Sequence, residues 1–133
     1  MNKYRNKKIV YDGITFDSVK EQNRYSQLKL LVRAGRISHL ELQKPFELIP
    51  AQYEQVPTGE IYQRGVHKGE AKTRKICIEK AVVYIADFAY IENDTQIVED
   101  VKGYRDPSST AYAKYVIKRK LMLHKYGIKI REV

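Results

Sequence analysis

Residues 81–103 constrain the fold most. "AVVYIADFAYIE" and "TQIVEDVKG" are strand-like runs, and Asn93-Asp94 between them is a turn pair. An antiparallel hairpin is the expected result. Side chains two apart share a strand face. Asp87 then lies among Val83, Ile85, Ala89 and Ile91, Asp100 points with Lys102, and Glu99 points with Ile97 and Val101. An aspartate on an apolar face is costly unless something neutralises it. The hairpin brings Asp87 near Asp100, and two adjacent carboxylates repel. A divalent cation would relieve this, since Mg²⁺ takes one or two carboxylates with phosphate oxygens and water. The plain alternative is an edge-strand ion pair between Asp100 and Lys102, which leaves Asp87 unexplained.

The rest of the chain supplies partners for that hairpin. Asp12-Gly13 predicts a hairpin or β-turn leading into a helix. "SVKE" from Ser18 is a capping box, so a helix starts near residue 18 and runs to Ala34, where Gly35 stops it. Glu21, Tyr25, Leu28 and Val32 form one stripe of that helix, and three are apolar or aromatic. Glu21 thus heads a core-facing stripe, or it serves only the capping box; the spacing allows both. "HLELQKPFELIP" reads as extended, with Pro45 and Pro50 confining strand to its middle. Residues 51–76 read as an irregular, basic excursion, with a long hairpin as one form it can take. "TAYAKYVIKRKLMLHKY" is a second helix ended by Gly127, and "IKIREV" is a terminal strand. The predicted order is αβββαβ in one domain over 1–133: an α/β fold with a central mixed sheet flanked by helices.

Composition sets the class of partner. The net charge is +9 over 133 residues, which favours a polyanion, nucleic acid first. No apolar run reaches the roughly 18 residues of a membrane span. "MNKYRNKK" has no apolar stretch after it, unlike a signal peptide. The lone Cys77, inside "ICI", excludes an internal disulfide, reads as a small buried hydrophobe, and fits a reducing cytoplasm. His39, His67 and His124 lack metal-ligand spacing, which argues against a zinc nuclease. Lys114, Lys118 and Lys125 share a stripe of the second helix, opposite a core-facing Tyr112, Tyr115, Val116, Met122, Leu123 and Tyr126. That lysine stripe and the excursion's Arg64, Lys68, Lys72, Arg74 and Lys75 are solvated faces or phosphate contacts.

"ADF" on one strand and "DVKG" on the next resemble the PD-(D/E)xK nuclease superfamily. Together with "FDSVKEQNRYSQLKLLVRAGRI" and "LELQKPFEL" they resemble a phage-encoded endonuclease family within it. The likeness covers most of the chain apart from 51–76. One departure is Ala86, where the superfamily has proline. The resemblance implies a restriction-endonuclease-like core and a Mg²⁺-dependent endodeoxyribonuclease, with Mn²⁺ substituting. Branched or Holliday-junction DNA is one substrate it suggests, and a nick or repair intermediate another. It implies that Asp87, Asp100 and the Val101 carbonyl hold the metal, that Glu21 contacts it directly or through water, and that Lys102 orients the attacking water and stabilises phosphate charge. Gln43 matches the family's "LQ" and lies near the site, or serves in the core or a turn. Glu99 competes with Asp100, which alone has the x-Lys spacing. A homodimer is expected where both strands are cut, and a host cytoplasm if the chain is phage-encoded. The competing expectation is a nucleic-acid-binding module without chemistry.

Overall fold

In the computed structural model, residues 8–103 and 107–133 are described. The basic segment 1–7 and residues 104–106, which precede the second helix, lie outside them. Among the described residues the elements are β1 (Ile9–Tyr11), β2 (Ile14–Phe16), α1 (Val19–Arg33), β3 (Ser38–Ile49), β4 (Gln52–Ile61), β5 (Ala71–Glu79), β6 (Val82–Glu92), β7 (Thr95–Asp100), α2 (Thr110–Tyr126) and β8 (Arg131–Glu132). The expected αβββαβ order survives as α1, β3, β6, β7, α2 and β8. Two hairpins, β1–β2 and β4–β5, are added to it.

The central sheet has the strand order β3-β6-β7-β8. β6 and β7 are antiparallel, whereas β7 and β8 are parallel, so the sheet is mixed. Chain reversal between β6 and β7 uses Asn93 and Asp94 at φ 51° and 61°. Two successive left-handed residues match the twist of a two-residue hairpin. Asp12 and Gly13, at φ 54° and 73°, make the same turn between β1 and β2.

Ser18 caps α1: its Oγ accepts from the Glu21 amide at 3.1 Å. Removing one capping acceptor costs about 1 kcal/mol. Ser18→Ala is therefore expected to lower the melting temperature by roughly 2–4 °C, read by thermal unfolding. Tyr25 and Leu28 of α1 pack with Phe16, Ile37, Phe88 and Tyr90 in the main core.

Several expectations are corrected. β3 runs straight through Pro45, because an edge strand tolerates a proline whose ladder side is open to solvent. Residues 51–76 are less irregular than expected and take the long-hairpin form: most of β4 and β5 pair as an antiparallel ribbon, with 62–70 as its connection. Cys77 is exposed, on a two-stranded ribbon in which no residue of either strand is buried. Leu123 and Tyr126 are also exposed, at 54% and 40%, so the buried side of α2 is narrower than its apolar stripe and rests on Tyr115 and Met122. The chain divides into two compact units, Met1–Phe46 with Tyr84–Val133, and Glu47–Val83. The carboxylate site lies in the first.

Candidate carboxylate–lysine site

The β6–β7 register decides which carboxylates meet. Phe88 pairs with Glu99, so one further step along the ladder sets Asp87 against Asp100. β7 ends at Asp100, and the backbone beyond it is held by β8. The Lys102 amide donates to the Val133 carbonyl at 2.8 Å, and the Val133 amide to the Asp100 carbonyl at 3.0 Å.

Asp87 is half-buried and engaged on both oxygens. Its Oδ2 accepts from the Val101 amide at 2.8 Å, and its Oδ1 from Gln43 Nε2 at 3.3 Å. The same Gln43 Nε2 donates to Glu21 Oε1 at 3.3 Å. One amide thus ties α1 to β6. Gln43 makes both contacts from a left-handed backbone, φ 52°, inside β3. A non-glycine residue there is strained and is kept only where its surroundings hold it. Glu21 takes the core-facing reading: its carboxylate is buried, 7% exposed, and joined to Gln43, while the Ser18 cap uses only its backbone amide.

The electrostatics follow from crowding. Burial, then the charges of Asp100 and Glu21, push the Asp87 carboxyl up to about 7, against the lowering bond from the Val101 amide. Burial and then Asp17 raise the Glu21 carboxyl, with a smaller contribution from Asp100. Asp100 is buried and pairs through Oδ2 with the Lys102 ammonium. That ammonium also sits 3.2 Å from the centroid of the Tyr115 ring on α2. Tyr115 is fixed in turn, its hydroxyl donating to Glu132 Oε1 at 2.7 Å. The Tyr84 hydroxyl is buried close to Asp100, and burial first and then the Asp100 charge hold it protonated.

The expected quartet of Glu21, Asp87, Asp100 and Lys102 is therefore one neighbourhood, with Gln43 inside it and Val101 contributing its amide. Glu99 is not part of it. Fully buried on the other side of β7, it accepts from Arg24 Nε at 2.7 Å and Arg24 Nη2 at 2.6 Å, and from the Tyr90 hydroxyl. Lys114 is exposed and Lys118 half-buried on α2. Arg64 and Lys68 lie between β4 and β5, and Lys72, Arg74 and Lys75 lie on β5. Sequence reasoning missed Lys20, Tyr84 and Tyr115 as site neighbours. The Lys20 ammonium donates to the Lys102 carbonyl, and only its position one residue before Glu21 hinted at this.

Among the described residues no three His, Cys, Asp or Glu side chains are grouped closely enough to enclose a metal ion. Asp87 and Asp100 nevertheless supply two hard oxygen donors at one place, a number that suits Mg²⁺ with water filling the remaining positions. A cation there would also favour the ionised Asp87 that burial and its neighbours oppose.

No helix among the described residues is long and apolar enough to cross a membrane. No curated protein matches this chain, and no solved structure does. A family model described as a protein of unknown function, DUF1064, matches residues 1–132, and the chain therefore belongs to the DUF1064 family.

Proposed function

We propose that this protein is a metal-dependent DNA endonuclease with a restriction-endonuclease-like core. The observation that carries the reading is Asp87, a half-buried carboxyl pushed up to about 7 by burial, Asp100 and Glu21, with Lys102 paired to the neighbouring Asp100. Groups perturbed by burial together with specific charges concentrate where chemistry is done. Asp87 and Asp100 would hold the metal, with Mg²⁺ as the expected ion and Mn²⁺ as its substitute. When bound, the ion supplies a nucleophilic hydroxide and neutralises charge on the phosphate. Gln43 keeps Asp87 and Glu21 at a fixed separation. Lys102, braced by the Tyr115 ring, holds a positive charge where a phosphate oxygen or an attacking water would sit. The +9 net charge suits DNA as substrate, and branched DNA is the first structured substrate to try.

A second reading is a nucleic-acid-binding module without chemistry. The Asp100–Lys102 ion pair favours it, because that pair satisfies both charges with no metal. The test is cleavage of supercoiled plasmid and a labelled four-way junction with Mg²⁺, Mn²⁺ or EDTA. Metal-dependent cutting by wild type, reduced on the order of 10²-fold or more in Lys102→Ala, is expected for removal of one stabiliser of transition-state charge. Binding without cutting, unchanged or tighter in Asp100→Ala, overturns the nuclease in favour of the module.

A further inference from the structure

We infer that one face of the β4–β5 ribbon is a docking surface for a B-form DNA duplex. This goes beyond the carboxylate site and does not depend on it.

The ribbon has a surface without a cover. Across β4 and β5 no residue is buried, and only Val56, Lys72 and Ile76 reach even intermediate burial. A two-stranded hairpin by itself is marginal in water, so a ribbon of this length gains from a partner. Its register sorts the side chains into two faces. Tyr53 pairs with Cys77, Gln55 with Lys75 and Pro57 with Thr73. Alternation puts these six on one face, and Glu54, Ile76, Val56 and Arg74 on the other. Side-chain contacts agree with the first set. The Lys75 ammonium stands 4.2 Å from the centroid of the Tyr53 ring, and Thr73 Oγ1 donates to Gln55 Oε1 at 3.2 Å.

The chemistry of that face selects its occupant. Between Tyr53–Pro57 and Thr73–Cys77 it carries no carboxylate; Glu54 projects from the opposite face. It offers a cation, an amide, two hydroxyls and an exposed thiol, which suits phosphate and base edges. Toward the tip, Arg64 and Lys68 have no carboxylate within salt-bridge distance among the described residues, whereas Glu60 is paired with Lys72 and only Glu70, hydrogen-bonded to the His67 ring, offsets them. The unspent charge is therefore positive. A two-stranded ribbon fits the major groove of B-DNA, which is about 12 Å wide, whereas the deep, narrow major groove of A-form RNA does not admit side chains.

Cys77 makes the face directly testable, because it is the chain's single cysteine, lies exposed, and pairs with Tyr53 on that face. The experiment follows its alkylation by a fluorescent maleimide in EDTA, where no cutting can intervene. A 30-base-pair DNA duplex or an RNA duplex of the same sequence is added. Affinity is read in parallel by fluorescence anisotropy over a salt series, for wild type, Lys75→Glu and Lys75→Gln. Saturating DNA is expected to slow labelling at least about fivefold, and RNA to slow it less. Lys75→Glu is expected to weaken DNA binding by roughly fivefold to tenfold, and Lys75→Gln to lower the slope of log affinity against log salt by about one. Lys75 is exposed, as is Cys77, and circular dichroism checks that the variants keep the ribbon. Labelling unchanged by saturating DNA, equal protection by RNA, or Lys75→Glu binding like wild type overturns the proposal. So does labelling that slows with protein concentration alone, which would make the face a contact between two copies of this chain.

Discussion

Replacing Asp87 with asparagine is expected to remove metal-dependent cleavage and, in metal-free protein above pH 7, to make the fold more stable. The two effects have one cause. Burial, Asp100 and Glu21 raise the Asp87 carboxyl from 3.8 to about 7. A group whose folded value is raised binds its proton more tightly in the folded state. Its contribution to stability is complete below about pH 4 and is lost as pH rises through about 7. The unscreened shift corresponds to about 4 kcal/mol. Because Asp87 is only half-buried, solvent screening reduces this to about 1–2 kcal/mol. Asparagine does not titrate, so at pH 8 the variant should melt roughly 3–6 °C above wild type, with the gain shrinking toward pH 5. Adding Mg²⁺ should raise the wild-type melting temperature more at pH 8 than at pH 5, since the metal takes the ionised carboxylate, and should leave Asp87→Asn unmoved. Cleavage should fall on the order of 10³-fold. A variant that cuts like wild type, or that melts lower at pH 8, removes Asp87 from the proposed role.

The Asp87–Asp100 neighbourhood was legible in the sequence because it is local. A two-residue turn at Asn93-Asp94 fixes the register between residues only a few positions away, and period-2 alternation then assigns faces. Ser18 as a cap and Gly127 as a stop were legible for the same reason. What was not legible depends on partners far along the chain. Nothing near Gln43 says that its amide spans 22 residues to Glu21 and 44 to Asp87 from a left-handed backbone. Pro45 read as a strand breaker because the sequence does not say that β3 lies at the sheet edge. Cys77 read as buried because "ICI" carries the composition of a core strand on a ribbon in which no residue of either strand is buried. Fold class followed from pattern, and alternation with the x-Lys spacing already favoured Asp100 over Glu99; what the sequence did not show is the distant partner of Glu99, Arg24.

That partnership carries the largest stability effect expected here. Glu99 is fully buried, and Arg24 grips both of its oxygens from α1, 75 residues away in the chain. The Tyr90 hydroxyl also donates to Glu99 while accepting from Arg131 Nη1 at 3.2 Å. Burial first, and then Glu99, push the Tyr90 hydroxyl up to about 12, so it remains a donor at any physiological pH. Removing the guanidinium leaves a carboxylate in the core with one neutral donor. Breaking a buried pair in this way costs about 3–5 kcal/mol, because the remaining charge is uncompensated. Arg24→Met is therefore expected to lower the melting temperature by roughly 10–15 °C at pH 7. Arg24→Met with Glu99→Leu replaces both charges by apolar groups and should recover most of the loss, since a buried ion pair gains little over a packed apolar one. A thermal double-mutant cycle reads the coupling. If the double variant melts no higher than Arg24→Met, the loss belongs to packing by the arginine stem. If it recovers, the pair ties α1 to β7 through charge, directly behind the strand that carries Asp100.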